Sequence, residues 1–188
     1  LRPGLCNALA YTPMGGVVIP IESCLYDGEG KIISSGSLGK ITSESVQVAL
    51  SYIKSNKDIF QVSNCHFEHK DIHIHFLEGA VPKDGPSSGA SIVTSILSLI
   101  LNKNIPEDIA MTGEITLRGD ILTIGGLKEK LLAAKNDGVK RVFVPDRNQK
   151  NVDELDPEIT EGMQITYVSD MLQVINGGIV KRGFALKQ

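Results

Sequence analysis

Two spacings of apolar side chains divide the chain into short strands and helices. Apolar residues alternate with polar ones over 71–77, which is typical of a strand. They recur three and four positions apart over 43–54, which predicts a helix that Thr42 or Ser43 caps. Further strands are predicted over 17–25, 31–34, 141–144 and 165–168. Further helices are predicted over 88–101, 127–136, 148–155 and 169–175.

Turn-forming residues between these segments predict two hairpins. The sequence DGEG lies between the two N-terminal strands, and Pro20 in the first of them favours an edge position or a bulge. A second hairpin is predicted over 110–124, around a turn at 118–120. Gly138 is expected to follow the end of the helix over 127–136. Early hairpins and late strand–helix units indicate an α+β fold, a single domain with a mixed sheet.

Composition narrows the class of protein. With 188 residues, of which 41% are hydrophobic, the chain can bury a core without disulfides. A net charge of -3 and the absence of Trp argue against a nucleic-acid partner. No run approaches the ~20 apolar residues of a membrane span. Cys6, Cys24 and Cys65 form no CxxC pair, so we expect reduced thiols in a bacterial cytoplasm or an organelle matrix.

A loop rich in glycine and proline, 78–89, leads into the apolar helix over 88–101. A serine at this junction, Ser87 or Ser88, would lie beside the free N–H groups of the helix start, which suit a developing oxyanion. An ordinary helix cap is the alternative role of such a serine. Neither GxSxG nor GxxxxGK[ST] occurs in the sequence, so neither a hydrolase elbow nor a P-loop is expected.

The helix over 127–136 carries a candidate base. Lys130 shares helical spacing with Leu127, Leu131 and Ala134, which puts it at the margin of an apolar face. Burial there would lower the pKa of the lysine and allow it to accept a proton. The alternative is a lysine that extends its ammonium into water.

Four histidines lie within ten residues, at positions 66, 69, 73 and 75. His73 and His75 project from one face of a predicted strand, where they could bind a metal or serve a serine as base. Because further ligands with metal-binding spacing are missing, hydrogen bonding at the sheet face is the favoured role, and no metal is expected.

Three blocks together resemble the Lon protease family. FLEGAVPKDGPSSG at 76–89 resembles its active-serine signature, and AMTGEITLRG at 110–119 and IGGLKEK at 124–130 resemble the two blocks that follow it. GG before the first predicted strand and GSLG at 36–39 also match. The resemblance extends from about residue 1 to residue 175, and the order of three long blocks makes it specific.

The resemblance implies the Lon proteolytic-domain fold and a serine endopeptidase that uses a Ser–Lys dyad. Ser87 matches the nucleophile, Lys130 the general base, and Thr112 a hydroxyl that orients the lysine. Ser88 departs from the family, which usually has alanine there. The remaining matches are supporting positions near the site: Asp84, Glu22, His73 and His75.

Lon-type proteases couple this domain to an ATP-driven unfoldase in a hexameric ring. Unfolded polypeptides are therefore the expected substrates, and a homo-oligomer is the expected assembly. ATP and Mg²⁺ are expected only for the ATPase part, and this chain is expected to bind no cofactor. Because the sequence starts at Leu1 and not at a methionine, we expect it to be a piece of a longer protein. Three alternatives stay open: a Ser–His hydrolase, a Ser–Lys amidase for small substrates, and a non-catalytic ring-assembly module.

A Ser–Lys dyad requires a lysine whose pKa is well below its ordinary value. The pKa of Lys130 must fall to about 7–8 for the amine to act as base near neutral pH. An ionised Asp84 nearby would oppose this fall, so a swing of Asp84 could separate active from inactive states. A peptide substrate is expected to add as a strand at the first predicted hairpin.

Overall fold

The computed structural model describes residues 2–179 and, within them, nine strands and seven helices. The strands are β1 (Cys6–Thr12), β2 (Gly15–Asp27), β3 (Ile32–Ser35), β4 (Lys70–Phe76), β5 (Ile109–Met111), β6 (Glu114–Ile115), β7 (Ile121–Leu122), β8 (Arg141–Pro145) and β9 (Gln164–Val168). The helices are α1 (Lys40–Ser55), α2 (Lys57–Phe60), α3 (Gly89–Leu101), α4 (Leu127–Asn136), α5 (Gln149–Asp153), α6 (Pro157–Thr160) and α7 (Met171–Gly178).

Seven strands form one mixed sheet in the order β3-β4-β2-β1-β5-β8-β9, and β6 and β7 form a separate small hairpin. Strand β1 is antiparallel to β2 and parallel to β5, so it joins an antiparallel half of the sheet to a parallel half. The prediction of an α+β fold with a mixed sheet is confirmed.

The two faces of the sheet are covered by different helices. Helix α3 is buried along most of its length and packs against α1, β1 and β2. Its buried hydroxyls are satisfied within the fold, as where Ser95 donates to the carbonyl of Gly4. Helix α4 packs on the opposite face, where its apolar side chains join a second cluster with Leu9 of β1 and Val142 of β8. No helix within residues 2–179 has the length and apolar character to cross a membrane.

The first predicted hairpin is wrong. Strand β4 inserts between β2 and β3, antiparallel to the one and parallel to the other. The Asp71 carboxylate of β4 accepts the N–H groups of Glu29 and Lys31, so it fixes the DGEG turn onto β4. Strand β2 therefore lies inside the sheet and is not the edge expected for substrate, whereas β3 is an edge strand. Pro20 stands where the pairing with β4 ends, and its carbonyl accepts the N–H of Leu77.

Other predictions are confirmed with changed boundaries. The second hairpin consists of β6 and β7 alone, because the residues before it belong to β5 in the main sheet. Helix α4 has the predicted bounds, and Gly138 follows it with a φ of +79°. Helix α1 begins three residues earlier than predicted, without a cap from Thr42 or Ser43. The three cysteines are free thiols, and only Cys24 is exposed.

Candidate active site

Lys130 lies in the first turn of α4 and is buried, with 2% of its surface exposed. Its ammonium donates a hydrogen bond to Oγ1 of Thr112 at 3.1 Å. Burial lowers the pKa of Lys130 from 10.5 to about 8, within reach of the value that a base needs near neutral pH. The alternative of an ammonium extended into water is wrong for Lys130 and holds for the exposed Lys128.

Close packing at two glycines fixes where α4 begins. A Cβ at Gly16 would lie 2.0 Å from the carbonyl oxygen of Glu129 and 3.0 Å from the nitrogen of Lys130. A Cβ at Gly126 would lie 2.9 Å from that of Tyr11, and its φ of +67° favours glycine. The start of β2 therefore touches the helix backbone directly at the peptide unit that joins Glu129 to Lys130.

Asn148 holds the segment before α4 from the other side. Its amide accepts the N–H of Ile124 at 2.9 Å and donates to the carbonyl of the same residue at 3.0 Å. Asn148 has 3% of its surface exposed, so these two buried hydrogen bonds fix the backbone of Ile124, two residues before Gly126. Sequence reasoning missed this role, since a polar residue at the start of a predicted helix resembles an ordinary cap.

Ser87 lies in the loop before α3 and is half-buried. Its carbonyl accepts the N–H of Gly113 at 2.8 Å, and the carbonyl of Gly113 accepts the N–H of Ala90 at 3.1 Å. Thr112, which contacts Lys130, directly precedes Gly113, which contacts the backbone of Ser87. One short segment therefore touches both residues. Within residues 2–179 the hydroxyl of Ser87 has no hydrogen-bond partner, so its bond to Lys130 stays a prediction.

The junction between this loop and α3 is not closed by a capping side chain. Ser88 is the residue before the helix, and its hydroxyl accepts no hydrogen bond from the first turn. Within residues 2–179 the N–H groups of Ser87 and Ser88 also have no acceptor. Two donors therefore stay available at the helix start, and both serines line a small cavity beside Tyr11 and Thr12.

Asp84 caps a helix, a role that the sequence did not predict. Its Oδ1 accepts the N–H of Ile41 at 3.0 Å and that of Thr42 at 3.3 Å, so it caps α1 from a distant part of the chain. This contact explains why α1 begins early. Burial is the cause of the lowered pKa of Lys130.

The remaining candidates, Glu22, His73 and His75, lie together but line a different cavity from Ser87, one of about 820 Å³. Glu22 pairs with His75 across β2 and β4. The hydroxyl of Ser35 bridges the two imidazoles, 2.8 Å from Nε2 of His73 and 2.7 Å from Nδ1 of His75. The hydroxyl that these histidines contact is thus Ser35 and not Ser87. No group of three metal-ligating side chains suited to an ion occurs between residues 2 and 179.

Comparison with known proteins identifies the family of this domain. The family of Lon protease (S16) C-terminal proteolytic domains matches residues 2–181. Lon protease of Lachnoclostridium phytofermentans is 47% identical over 177 residues, or 94% of this chain and 22% of that protein. Lon protease of Finegoldia magna is 43% identical over 92% of this chain and 22% of its own length. Lon protease of Azospirillum brasilense is 44% identical over 95% of this chain and 22% of its own length.

The fold and site define a class of protein: a mixed-sheet domain in which one short segment contacts both a buried lysine of lowered pKa and a serine-bearing loop. The chain belongs to the family of Lon protease proteolytic domains. It spans about a fifth of the length of the curated relatives that it matches.

Proposed function

We propose that this chain is the proteolytic part of an ATP-dependent serine endopeptidase, with Ser87 as nucleophile and Lys130 as general base. The buried amine of Lys130 carries the proposal, because its pKa near 8 leaves part of it neutral at cellular pH. Thr112 supports it, since a hydroxyl orients the amine without adding a charge.

The reaction uses each of these groups in turn. Neutral Lys130 takes the proton of Ser87 as Oγ attacks the peptide carbonyl, and the N–H groups of Ser87 and Ser88 donate to the oxyanion. The lysinium returns the proton to the leaving amine as the C–N bond breaks. Water then attacks the acyl-enzyme, loses its proton to Lys130, and releases the carboxylic acid as Ser87 regains its hydrogen.

The wider role follows from the relatives. Because this chain matches about a fifth of proteins named Lon protease, we propose that the full-length protein is a hexameric ring. ATP and Mg²⁺ would bind its ATPase part, and unfolded polypeptides would reach Ser87 from there. A bacterial cytoplasm is the proposed location.

The decisive experiment compares two adjacent serines. Ser87→Ala should abolish hydrolysis of casein and of a fluorogenic peptide and should prevent labelling by a fluorophosphonate, while far-UV circular dichroism stays unchanged. Ser88→Ala is the matched control and should retain labelling. Loss of labelling in Ser88→Ala alone would move the nucleophile by one residue. Hydrolysis of small amides without casein would favour the amidase, and absence of both activities and of labelling would favour the assembly module.

The pH dependence of the rate identifies the base. Because only the neutral amine accepts a proton, kcat/KM for the peptide should rise with pH through a midpoint of about 8. A midpoint near ~6.5, lost when His73 or His75 is replaced by Gln, would instead support the Ser–His hydrolase.

A further inference from the structure

A second buried lysine, Lys83, has no part in the mechanism above. It lies in the serine loop four positions before Ser87, with 5% of its surface exposed. A lysine in a loop rich in glycine and proline is ordinarily exposed, since burial of an ammonium is costly. Its burial therefore requires specific partners.

The partners of its ammonium are backbone carbonyls. Nζ donates to the oxygen of Gly36 at 2.7 Å and to that of Glu78 at 2.5 Å. Gly36 has a φ of +114°, and a Cβ there would lie 2.2 Å from the carbonyl oxygen of Phe76, so only glycine fits this approach. One ammonium thus joins the first residue of the serine loop to the segment between β3 and α1.

The backbone of Lys83 strengthens the same connection. Its N–H donates to the carbonyl of Ser37 at 3.0 Å, and its carbonyl accepts the N–H of Gly39 at 2.8 Å. Beyond it, the hydroxyl of Thr42 accepts the N–H of Gly85 at 3.1 Å. The chain that leads to Ser87 is therefore fixed to the start of α1 at consecutive residues.

This role requires hydrogen-bond donors and does not require charge. Burial lowers the pKa of Lys83, while the nearby Glu78 carboxylate opposes the shift. Both acceptors are neutral carbonyls, and either protonation state of the side chain can donate to them.

We propose that Lys83 is a positioning residue that holds the serine loop closed on the N-terminal end of α1 and thereby places Ser87. The inference rests on the proposed function for its effect on catalysis, but the clamp itself is a property of the loop. Lys83 acts through backbone geometry and does not exchange a proton with the substrate.

The test replaces the donors and keeps the length of the side chain. In Lys83→Met, kcat for peptide hydrolysis and the rate of Ser87 labelling should both fall by about 100-fold, the cost of a small misplacement of a reacting group. Amide hydrogen exchange should become faster over 78–88 and stay unchanged in α4. The midpoint of the pH–rate curve should not move, because Lys130 is untouched. Lys83→Arg, which keeps the donors, should recover part of the rate.

The matched control is Lys140→Met, the same change at an exposed lysine, which should behave as wild type. If Lys83→Met does not fold, Lys83→Gln, which keeps a shorter donor, allows the same comparison of exchange. Hydrolysis rates and amide exchange equal to wild type in Lys83→Met would overturn the proposal. Faster exchange throughout the domain would also overturn it. So would loss of the midpoint of the pH–rate curve while exchange over 78–88 stays unchanged. A wild-type chain that neither cleaves peptide nor takes the label would refute the proposed function, while loop exchange would still decide on the clamp.

Discussion

The two halves of the candidate site are held by different kinds of interaction. The lysine half rests on contact between backbones, where Gly16 meets the helix at Glu129 and an apolar helix face packs on the sheet. The serine half rests on hydrogen bonds, from the ammonium of Lys83, the carboxylate of Asp84 and the hydroxyl of Thr42. Few apolar contacts hold the segment over 78–82, which is largely exposed.

This difference suggests that Lys130 is held rigidly and that Ser87 can adjust its position. Atoms in close-packed contact cannot move without opening a cavity or causing a clash, and water does not compete for such contacts. The position of Lys130 is therefore well fixed. The serine half depends on individual hydrogen bonds, so the loss of one of them lets the serine move over a short distance at moderate cost. A substrate that binds along the loop can therefore align Ser87 against a base that stays in place.

The largest expected effect comes from Lys130→Met, which removes the fixed partner. Peptide hydrolysis should fall by about 100- to 10,000-fold, the contribution of a general base. Lys128→Met, at the exposed neighbour, is the control and should keep its activity. Hydrolysis that survives in Lys130→Met would show that Lys130 is not the general base.

The same variant should be more stable than wild type at pH 7. The folded-state pKa of about 8 lies below the ordinary 10.5, so the unfolded chain binds more protons between these values and this group's contribution to stability rises with pH. Burial of the charge costs about 3 kcal/mol at pH 7, and loss of the Thr112 hydrogen bond offsets about 1 kcal/mol. Urea unfolding should show the gain at pH 7 and its disappearance by about pH 11. A less stable variant at pH 7 would contradict the lowered pKa.

A smaller effect is expected from Gly16→Ala, which tests the packing of the lysine half. The new methyl would lie 2.0 Å from the carbonyl oxygen of Glu129, so α4 must shift. We expect a loss of about 1–3 kcal/mol in stability and a fall in kcat of about 10- to 100-fold. Gly125→Ala is the control, since nothing lies within 4 Å of its Cβ. Equal kcat in the two variants would show that the helix contact does not position Lys130.

The smallest effect is expected from Asp84, which belongs to the adjustable half. Asp84→Ala should lower the free energy of unfolding by about 1 kcal/mol through loss of the α1 cap, and Asp84→Asn by less, because its amide oxygen still accepts. Neither change should move the pH–rate midpoint. A midpoint that falls in Asp84→Asn would show that the carboxylate reaches Lys130 during turnover.

Local patterns predicted the elements that carry the site. Helical spacing placed Lys130 at the edge of an apolar face, and the loop before α3 indicated a serine, Ser87 or Ser88, of which the family resemblance selected Ser87. The resemblance to Lon proteases, confirmed by the family match, added Thr112, which the structure places against Lys130. The catalytic roles of these residues stay predictions.

Long-range contacts account for what was missed. Strand β1 alternates poorly because helices cover both of its faces, so Ala8 and Leu9 are buried side by side. Asp84 caps α1 across 43 positions, and Lys83 reaches Gly36 across 47. The insertion of β4 between β2 and β3 is of the same kind, since turn signals describe neighbours in sequence and not in the sheet.

One dipeptide after β5 connects the two halves of the candidate site to the same strand. Thr112 contacts the amine and Gly113 contacts the backbone of Ser87, so both halves are attached to consecutive peptide units. A displacement of β5 would therefore carry the proposed nucleophile and the proposed base in the same direction. We therefore expect movements of this strand to disturb the alignment of Ser87 and Lys130 less than movements of the serine loop alone.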